Sequence, residues 1–299
     1  MKHPIPLRPG LLRRLLQKPA AAISLLLLLA ILAAAVFLPV FLKCDPHLTS
    51  SQTFLAPTQA HPFGTDLNGR DLLSRTLEGA RISLLVGCTG AAVSLLIGTS
   101  VGLLAGYAGG ALDAVLMRLV DILYAVPRLI LIILAGFLID PWLQRNLATF
   151  QDGRWVGYSK IAILILALGC IEWLTMARIV RGQVLALKTL PFVEAARVLG
   201  QSPLRILFKH LLPNLSGVIV VYLTLTVPAV ILDESFLSFL GMGVQAPQAS
   251  WGTLLSDGAT ALNPIQSHWW LLLFPAAAMS LTLLSLNFLG DALRDSLAE

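Results

Sequence analysis

Asp233 and Glu234 stand side by side inside an apolar stretch that runs from about Gly217 to Leu240. A charge near the centre of a bilayer costs roughly 2.5–3.5 kcal/mol on insertion scales, so such residues avoid lipid and face a protein interior or a water-filled cavity. A carboxylate placed there offers negative potential to a cation, or an acceptor to a hydrogen-bond donor. Neighbouring residues on a helix diverge by about 100°, so at most one of the pair points squarely along a narrow path. Glu234 is the expected one, because Ile231, Leu237 and Ser238 flank it on a mixed face. The competing role for it is a hydrogen bond to a partner subunit. Arg128 is another deep charge, next to Pro127, where a kink would expose backbone carbonyls to it. It either lines a path or pins two helices.

Covalent and metal chemistry have no support in the residue pattern. The chain has no Gly-x-x-x-x-Gly-Lys-[Ser/Thr] phosphate loop, no His-Glu-x-x-His and no Gly-x-Ser-x-Gly elbow. His3, His47, His61, His210 and His268 are scattered, and Cys44, Cys88 and Cys170 make no metal spacing. No catalytic residue, metal ligand or cofactor bound by this chain is expected, and the chain is read as a non-enzyme.

The elements that position these charges follow from composition. Of 299 residues, 57% are hydrophobic and only 12% charged. A soluble domain carries about 25% charged residues, so this chain lacks the charge to cover a water-facing surface. Soluble, disordered and nucleic-acid-binding classes are thereby excluded, although the pI is about 9.4. About 20 apolar residues cross a bilayer. Runs of that kind cover about Ala20–Leu42, Ile82–Tyr107, Val115–Ile139, Ile161–Ile179, Gly217–Leu240 and Trp269–Leu289. The expected fold is an all-α integral membrane protein with six transmembrane helices. The first run is far longer than the roughly 7–15 residue core of a cleavable signal, so it is read as an anchor.

Basic residues orient the spans. Lys2, Arg8, Arg13, Arg14 and Lys18 precede the first, and Arg181, Lys188, Arg197, Arg205 and Lys209 lie between the fourth and fifth. Both clusters are expected in the cytoplasm, with both termini. Asp113, Arg118 and Asp121 lie where the third span begins; Arg118 and Asp121, three apart, are spaced to pair on one face. Gly98, Gly102 and Gly106 make a small-xxx-small series that lets another helix approach closely.

The segment between spans four and five reads as a short helix with its terminal signals in place. Thr189 or Leu190 is the cap, Pro191 occupies the first turn, Glu194 and Arg197 complement the dipole, and Gly200 supplies a left-handed C′ residue. Ser202-Pro203 opens a second helix that runs through His210 to Pro213. A helix this short is unstable alone. It is either a connector on the membrane surface or a docking element, with Phe192, Val193, Ala196 and Leu199 as its apolar side.

Glu194-Ala195-Ala196, Gly200 and His210-Leu211-Leu212-Pro213, at their spacing, resemble the EAA loop of ATP-binding-cassette importer membrane subunits; His210 stands where that family usually has an aliphatic residue. Phe63–Arg75, Gly106–Gly110, Met117–Asp121 and Phe239–Gly243 with Trp251-Gly252 resemble dipeptide and oligopeptide permease subunits of the DppC/OppC type. Met176–Gln183 and Glu234–Phe239 look most like the oligopeptide member. The resemblance implies a type I importer permease fold. Residues 1–80 would hold the cytoplasmic amino terminus, first span and periplasmic loop; residues 81–299 would form the permease domain, with the EAA loop at about 189–213. It implies translocation of oligopeptides or dipeptides into the cytoplasm of a bacterium across its inner membrane. Its partners would be a second homologous permease, two cytoplasmic ATPase subunits holding ATP and Mg, and a peptide-binding protein. Glu194, Ala195, Ala196, Gly200 and Pro213 would couple the ATPases to the spans. Candidate path residues are Glu234, Asp233 and Arg128. An importer of nickel or antimicrobial peptides, and an ion-coupled secondary transporter, are the alternatives.

The orientation generates a first prediction. A reporter active only in the cytoplasm is active after Glu299 or inserted near Gln201, and silent near Thr58 or Asp257. Activity at Thr58 overturns it.

Overall fold

A computed structural model describes residues 18–42, 45–146, 153–262 and 267–298. The basic residues Lys2, Arg8, Arg13 and Arg14 lie outside the described residues. The helices are α1 (Pro19–Leu42), α2 (Leu72–Ala108), α3 (Gly110–Ala125), α4 (Arg128–Asn146), α5 (Gly153–Leu187), α6 (Pro191–Val198), α7 (Pro203–Ile206), α8 (Leu212–Phe239), α9 (Trp251–Ala261) and α10 (Trp270–Ala298). A single π-turn, Leu207–Leu211, joins α7 to α8.

Among the described residues, five helical stretches are long and apolar enough to cross a bilayer: α1, α2, α5, the continuous stretch from Pro203 to Phe239, and α10. The expected third span departs from this. Instead of one helix over Val115–Ile139, the chain makes α3 and α4 with a break at Val126 and Pro127. Pro127 has no N–H, and its ring drives the preceding residue out of helical geometry; Val126 is extended, at φ −88° and ψ 134°. At 16 residues, α3 is about 24 Å long, short of a bilayer core. Other boundaries move outward. Arg75 and Glu78, expected in a loop, belong to α2, which at 37 residues is about 55 Å long. Most of the expected loop at about 140–160 is the end of α4 and the start of α5; residues 147–152 lie outside the described residues. The helix α9 was not anticipated. Ser250 caps it, accepting from Thr253 N while Thr253 Oγ1 accepts from Ser250 N.

The centre of the bundle is α2 against α5. A Cβ on Gly98, Gly102 or Gly106 would come within 2.7, 2.6 and 3.0 Å of the carbonyl oxygens of Trp173, Ala177 and Arg181. The three glycines thus let α2 lie on the α5 backbone itself, as the small-xxx-small pattern requires. Around this seam, Leu103 of α2, Met176, Val180 and Val184 of α5, Val193 and Ala196 of α6, Leu211 of the π-turn and Leu215 of α8 belong to one buried cluster. The short helix therefore shares its core with the long ones.

Ion pairs hold α3 along α5. Arg181 Nε and Nη2 grip Asp113 at 2.5 and 2.7 Å, and this fork holds the Asp113 carboxyl below the usual carboxylate range. Asp121 pairs with Arg178 at 2.8 Å and not with Arg118. The i,i+3 spacing made that local pair sterically available, but the guanidinium of α5 lies closer. Arg178 also covers the Tyr124 ring at 3.9 Å.

Substitution at the glycine seam separates fit from propensity. Gly102→Ala forces a Cβ against Ala177 O and costs about 1–3 kcal/mol, read as a lowered midpoint temperature of the detergent-solubilised subunit. Gly182→Ala, with nothing within 4 Å of the added carbon, leaves the midpoint unchanged or raises it. Equal effects would refute the close approach.

Candidate functional site

The short helix α6 starts at the second of its two expected caps. Leu190 is the N-cap, extended and without a side-chain cap bond, and Pro191 follows at the first position. Thr189 Oγ1 turns back to Ala186 O at 3.1 Å. At the other end Gly200 sits at φ +73°. Gly200 N donates to Arg197 O at 2.9 Å and Gln201 N to Ala196 O at 3.1 Å, the paired bonds of a Schellman stop. His210 Nε2 lies 2.8 Å from Gln201 Oε1, so the one departure from the family pattern ties the loop after α6 to the π-turn.

The π-turn resolves the problem set by Pro213. A proline here removes an N–H and would push against the carbonyl four residues back. Widening the preceding turn lets Leu212 N reach Leu207 O instead, and the helix continues through Pro213 to Phe239.

The expected single apolar side of α6 is divided between two faces. Val193 and Ala196 are buried in the bundle core, whereas Phe192 and Leu199 point away from it. With Val198, Leu204 and Phe208, exposed by 88, 65 and 62%, they leave a greasy surface facing out. Helical spacing gives the reason: residues 193 and 196 share one direction and 192 and 199 another, about 80° away. Glu194 and Ala195 are exposed at the same end of the bundle, and Arg197 lies 5.4 Å over the Tyr107 ring at the end of α2.

A second constellation lies midway along the bundle. Arg128, the first residue of α4, reaches Glu172 Oε1 of α5 at 2.7 Å and also bonds Asp233 Oδ2 of α8. The guanidinium is 44% exposed and stands beside a cavity of about 340 Å³ bounded by Tyr124, Pro127, Leu131, Glu172 and Thr175. Backbone outside helical geometry is tolerated at membrane depth where protein buries it or where it lines such a cavity. Arg128 and Asp233 stand out separately in the sequence, and Glu172 joins them as a member not singled out there. Its charge inside Ile161–Ile179 was the available signal for this third member.

Glu234 does not take the open position expected of it. The residue is 0% exposed, and Ile231, Leu237 and Ser238 beside it are equally buried. Ser83 and Ser238 hydroxyls donate to its carboxylate at 2.8 and 2.7 Å. The face that looked mixed packs against α2 and α9, leaving Asp233 at the accessible edge.

Helices long and apolar enough to cross a bilayer, a helix pair broken beside a set of charges, and a short docked helix carried on an exposed loop define a multi-pass membrane transport component. The family described as "Binding-protein-dependent transport system inner membrane component" matches residues 98–299, and the chain belongs to it. It is 44% identical over 289 residues to the dipeptide transport system permease protein DppC of Bacillus subtilis (strain 168), covering 95% of this chain and 83% of that protein. It is likewise 44% identical over 288 residues to the oligopeptide transport system permease protein OppC of Haemophilus influenzae, with 95% and 86% covered. The corresponding OppC of Escherichia coli (strain K12) gives 44% over 288 residues, with 95% and 88% covered. In structure the chain is similar to a chain of the inward-facing MetNI methionine ABC transporter, at a TM-score of 0.55 and 20% identity, covering 75% of this chain and 97% of that one. The fold is that of a type I ABC importer permease.

The stop of α6 generates a prediction of its own. A Cβ at Gly200 meets nothing within 4 Å, so substitution there strains the backbone alone, by about 1–2 kcal/mol. Gly200→Val therefore speeds tryptic cleavage after Arg197 in membrane-inserted protein by about tenfold. Gly200→Asn, which tolerates the left-handed region, cleaves like wild type. Equal rates for Val and wild type would overturn the Schellman assignment.

Proposed function

We propose that this chain is one of two membrane subunits of a peptide importer, driven by ATP that separate cytoplasmic ATPases bind with Mg and hydrolyse. A binding protein delivers the peptide to the outer face, and this chain itself catalyses no reaction. The observation that carries the reading is α6. Its inner face, Val193 and Ala196, belongs to the core of the spans, while Phe192, Val198 and Leu199 face out beside Glu194 and Ala195. A partner that grips the outer face moves the bundle core with it. The names of the relatives, oligopeptide and dipeptide permeases, support peptide as the cargo.

In this reading α6 is cytoplasmic, as are both termini, and Glu194 to Gly200 with the Pro213 turn forms the lever. ATP binding favours one global state over another only through differential affinity for the two. Closure of the ATPases on ATP shifts α6, and through the π-turn it shifts α8. The peptide path runs beside the α3–α4 break. With all three groups ionised, Arg128, Glu172 and Asp233 carry an excess negative charge, and Asp233 and Glu172 present acceptors to a passing ammonium group. Arg128 keeps the two carboxylates from repelling each other when the path is empty.

Reconstitution of the assembled complex with its binding protein in vesicles tests both parts. Peptide uptake requires ATP inside the vesicle equivalent of the cytoplasm and continues when the proton gradient is collapsed. Asp233→Asn lowers uptake of lysine-containing peptides about tenfold relative to neutral ones, the equivalent of about 1.4 kcal/mol of lost attraction. Uptake that follows the proton gradient refutes the importer reading; equal loss for cationic and neutral peptides refutes the path assignment.

A further inference from the structure

Glu234 is the most enclosed charge among the described residues, and two of the hydroxyls that serve it each have a second bond. Ser83 Oγ of α2 donates to Oε2 and accepts Trp251 N, the first amide of α9, at 3.3 Å. Ser238 Oγ, one turn further along α8, donates to Oε1 and accepts Val244 N at 3.0 Å. Two relays therefore run from a backbone amide, through a serine, to the same carboxylate. A third hydroxyl, Ser235, stands 3.3 Å from Oε2. Glycines close the junction: a Cβ on Gly79 would meet Trp251 N at 3.2 Å, one on Gly252 would meet Ser235 O at 2.3 Å, and one on Gly243 would meet Ser238 Oγ at 2.1 Å. At these glycines α2, α8 and the segment around the start of α9 approach one another closely.

The chemistry of the relays demands a carboxylate. Each serine spends a lone pair on an amide and its proton on Glu234, so Glu234 has to accept on both oxygens. An amide side chain of the same shape would turn a donor toward one serine and leave that hydroxyl's proton without its acceptor, which weakens one relay.

At its other end α8 is continuous through the π-turn with the loop that follows α6. We propose that Glu234 is a positioning residue that fastens α9 to α8 and α2, so that a displacement begun at α6 is delivered to the outer face. There α9 exposes Asp257 and Thr260. This rests on the importer reading above and gives that reading its outer linkage. Glu234 touches no peptide; it sets where α9 stands when the path opens outward.

The test uses the assembled complex in lipid nanodiscs and vesicles. Glu234→Gln keeps basal ATP hydrolysis within twofold of wild type. Stimulation of hydrolysis by peptide-loaded binding protein falls at least fivefold, and maximal uptake falls with it while the KM for peptide holds. Ser83→Ala, which removes one relay and leaves the carboxylate, gives an intermediate loss. A second measurement needs neither variant: spin labels at the exposed positions Leu232 of α8 and Thr260 of α9 give the same narrow distance without nucleotide and with ATP trapped. Full stimulation in Glu234→Gln, or a label distance that changes with nucleotide in otherwise wild-type protein, overturns the proposal. Absence of ATP-dependent uptake by wild type fails differently, because it removes the importer reading itself.

Discussion

Hydrocarbon supplies no hydrogen bonds, so each backbone carbonyl that a proline frees inside a span needs a partner from the protein. Much of this structure is an answer to that demand. Pro39 interrupts α1, and the carbonyl it releases, Ala35 O, is taken by Arg81 Nε, while Arg81 Nη2 donates to Val36 O at 2.9 Å. Pro127 breaks a span in two and leaves Arg128 free to join Glu172 and Asp233. Pro213 is absorbed by a π-turn that keeps α8 whole. The same chemical defect thus yields an anchor, a charged cluster and a widened turn, according to what lies nearby.

Local signals were legible in the sequence wherever the structure depends on local geometry. Pro191 and Gly200 bound α6 because a missing N–H and a positive φ are properties of single residues. The glycine series was legible for the same reason, since only glycine permits the approach of α2 to the Ala177 carbonyl. The assignment of charges was less so. Arg118 and Asp121 have the spacing to pair, yet Asp121 goes to Arg178, fifty-seven residues away. Of Asp233 and Glu234, the flanking residues favoured Glu234 for the open position, yet the outcome depends on which direction α2 and α9 occupy. No periodicity in α8 records that. The break at Pro127 was noticed as a place for a kink; whether the helix bends or ends there is decided by Val126, whose extended backbone has no mark in the sequence beyond its position before proline.

The division of α6 into an inner and an outer face also explains why a helix of eight residues persists. Its caps offset the cost of starting a helix, and Val193 and Ala196 fix its position against α5 and the start of α8. Arg197 on Tyr107 adds a tie to the end of α2. Such a helix has little freedom to rock independently, and a push on Phe192 or Leu199 is felt by the packed core beneath.

The Arg81 contact with α1 has a consequence for how the protein is made. The chain is synthesised from its amino terminus, so α1, the most apolar of the spans at a mean hydropathy of 2.9, enters the bilayer before α2 emerges. Ala35 O, freed by Pro39, and the neighbouring Val36 O then wait as acceptors. The guanidinium that arrives with α2 finds them already in place, which lowers the penalty of bringing a cation into the apolar phase. Biogenesis of the second helix is in this sense templated by a vacancy in the first.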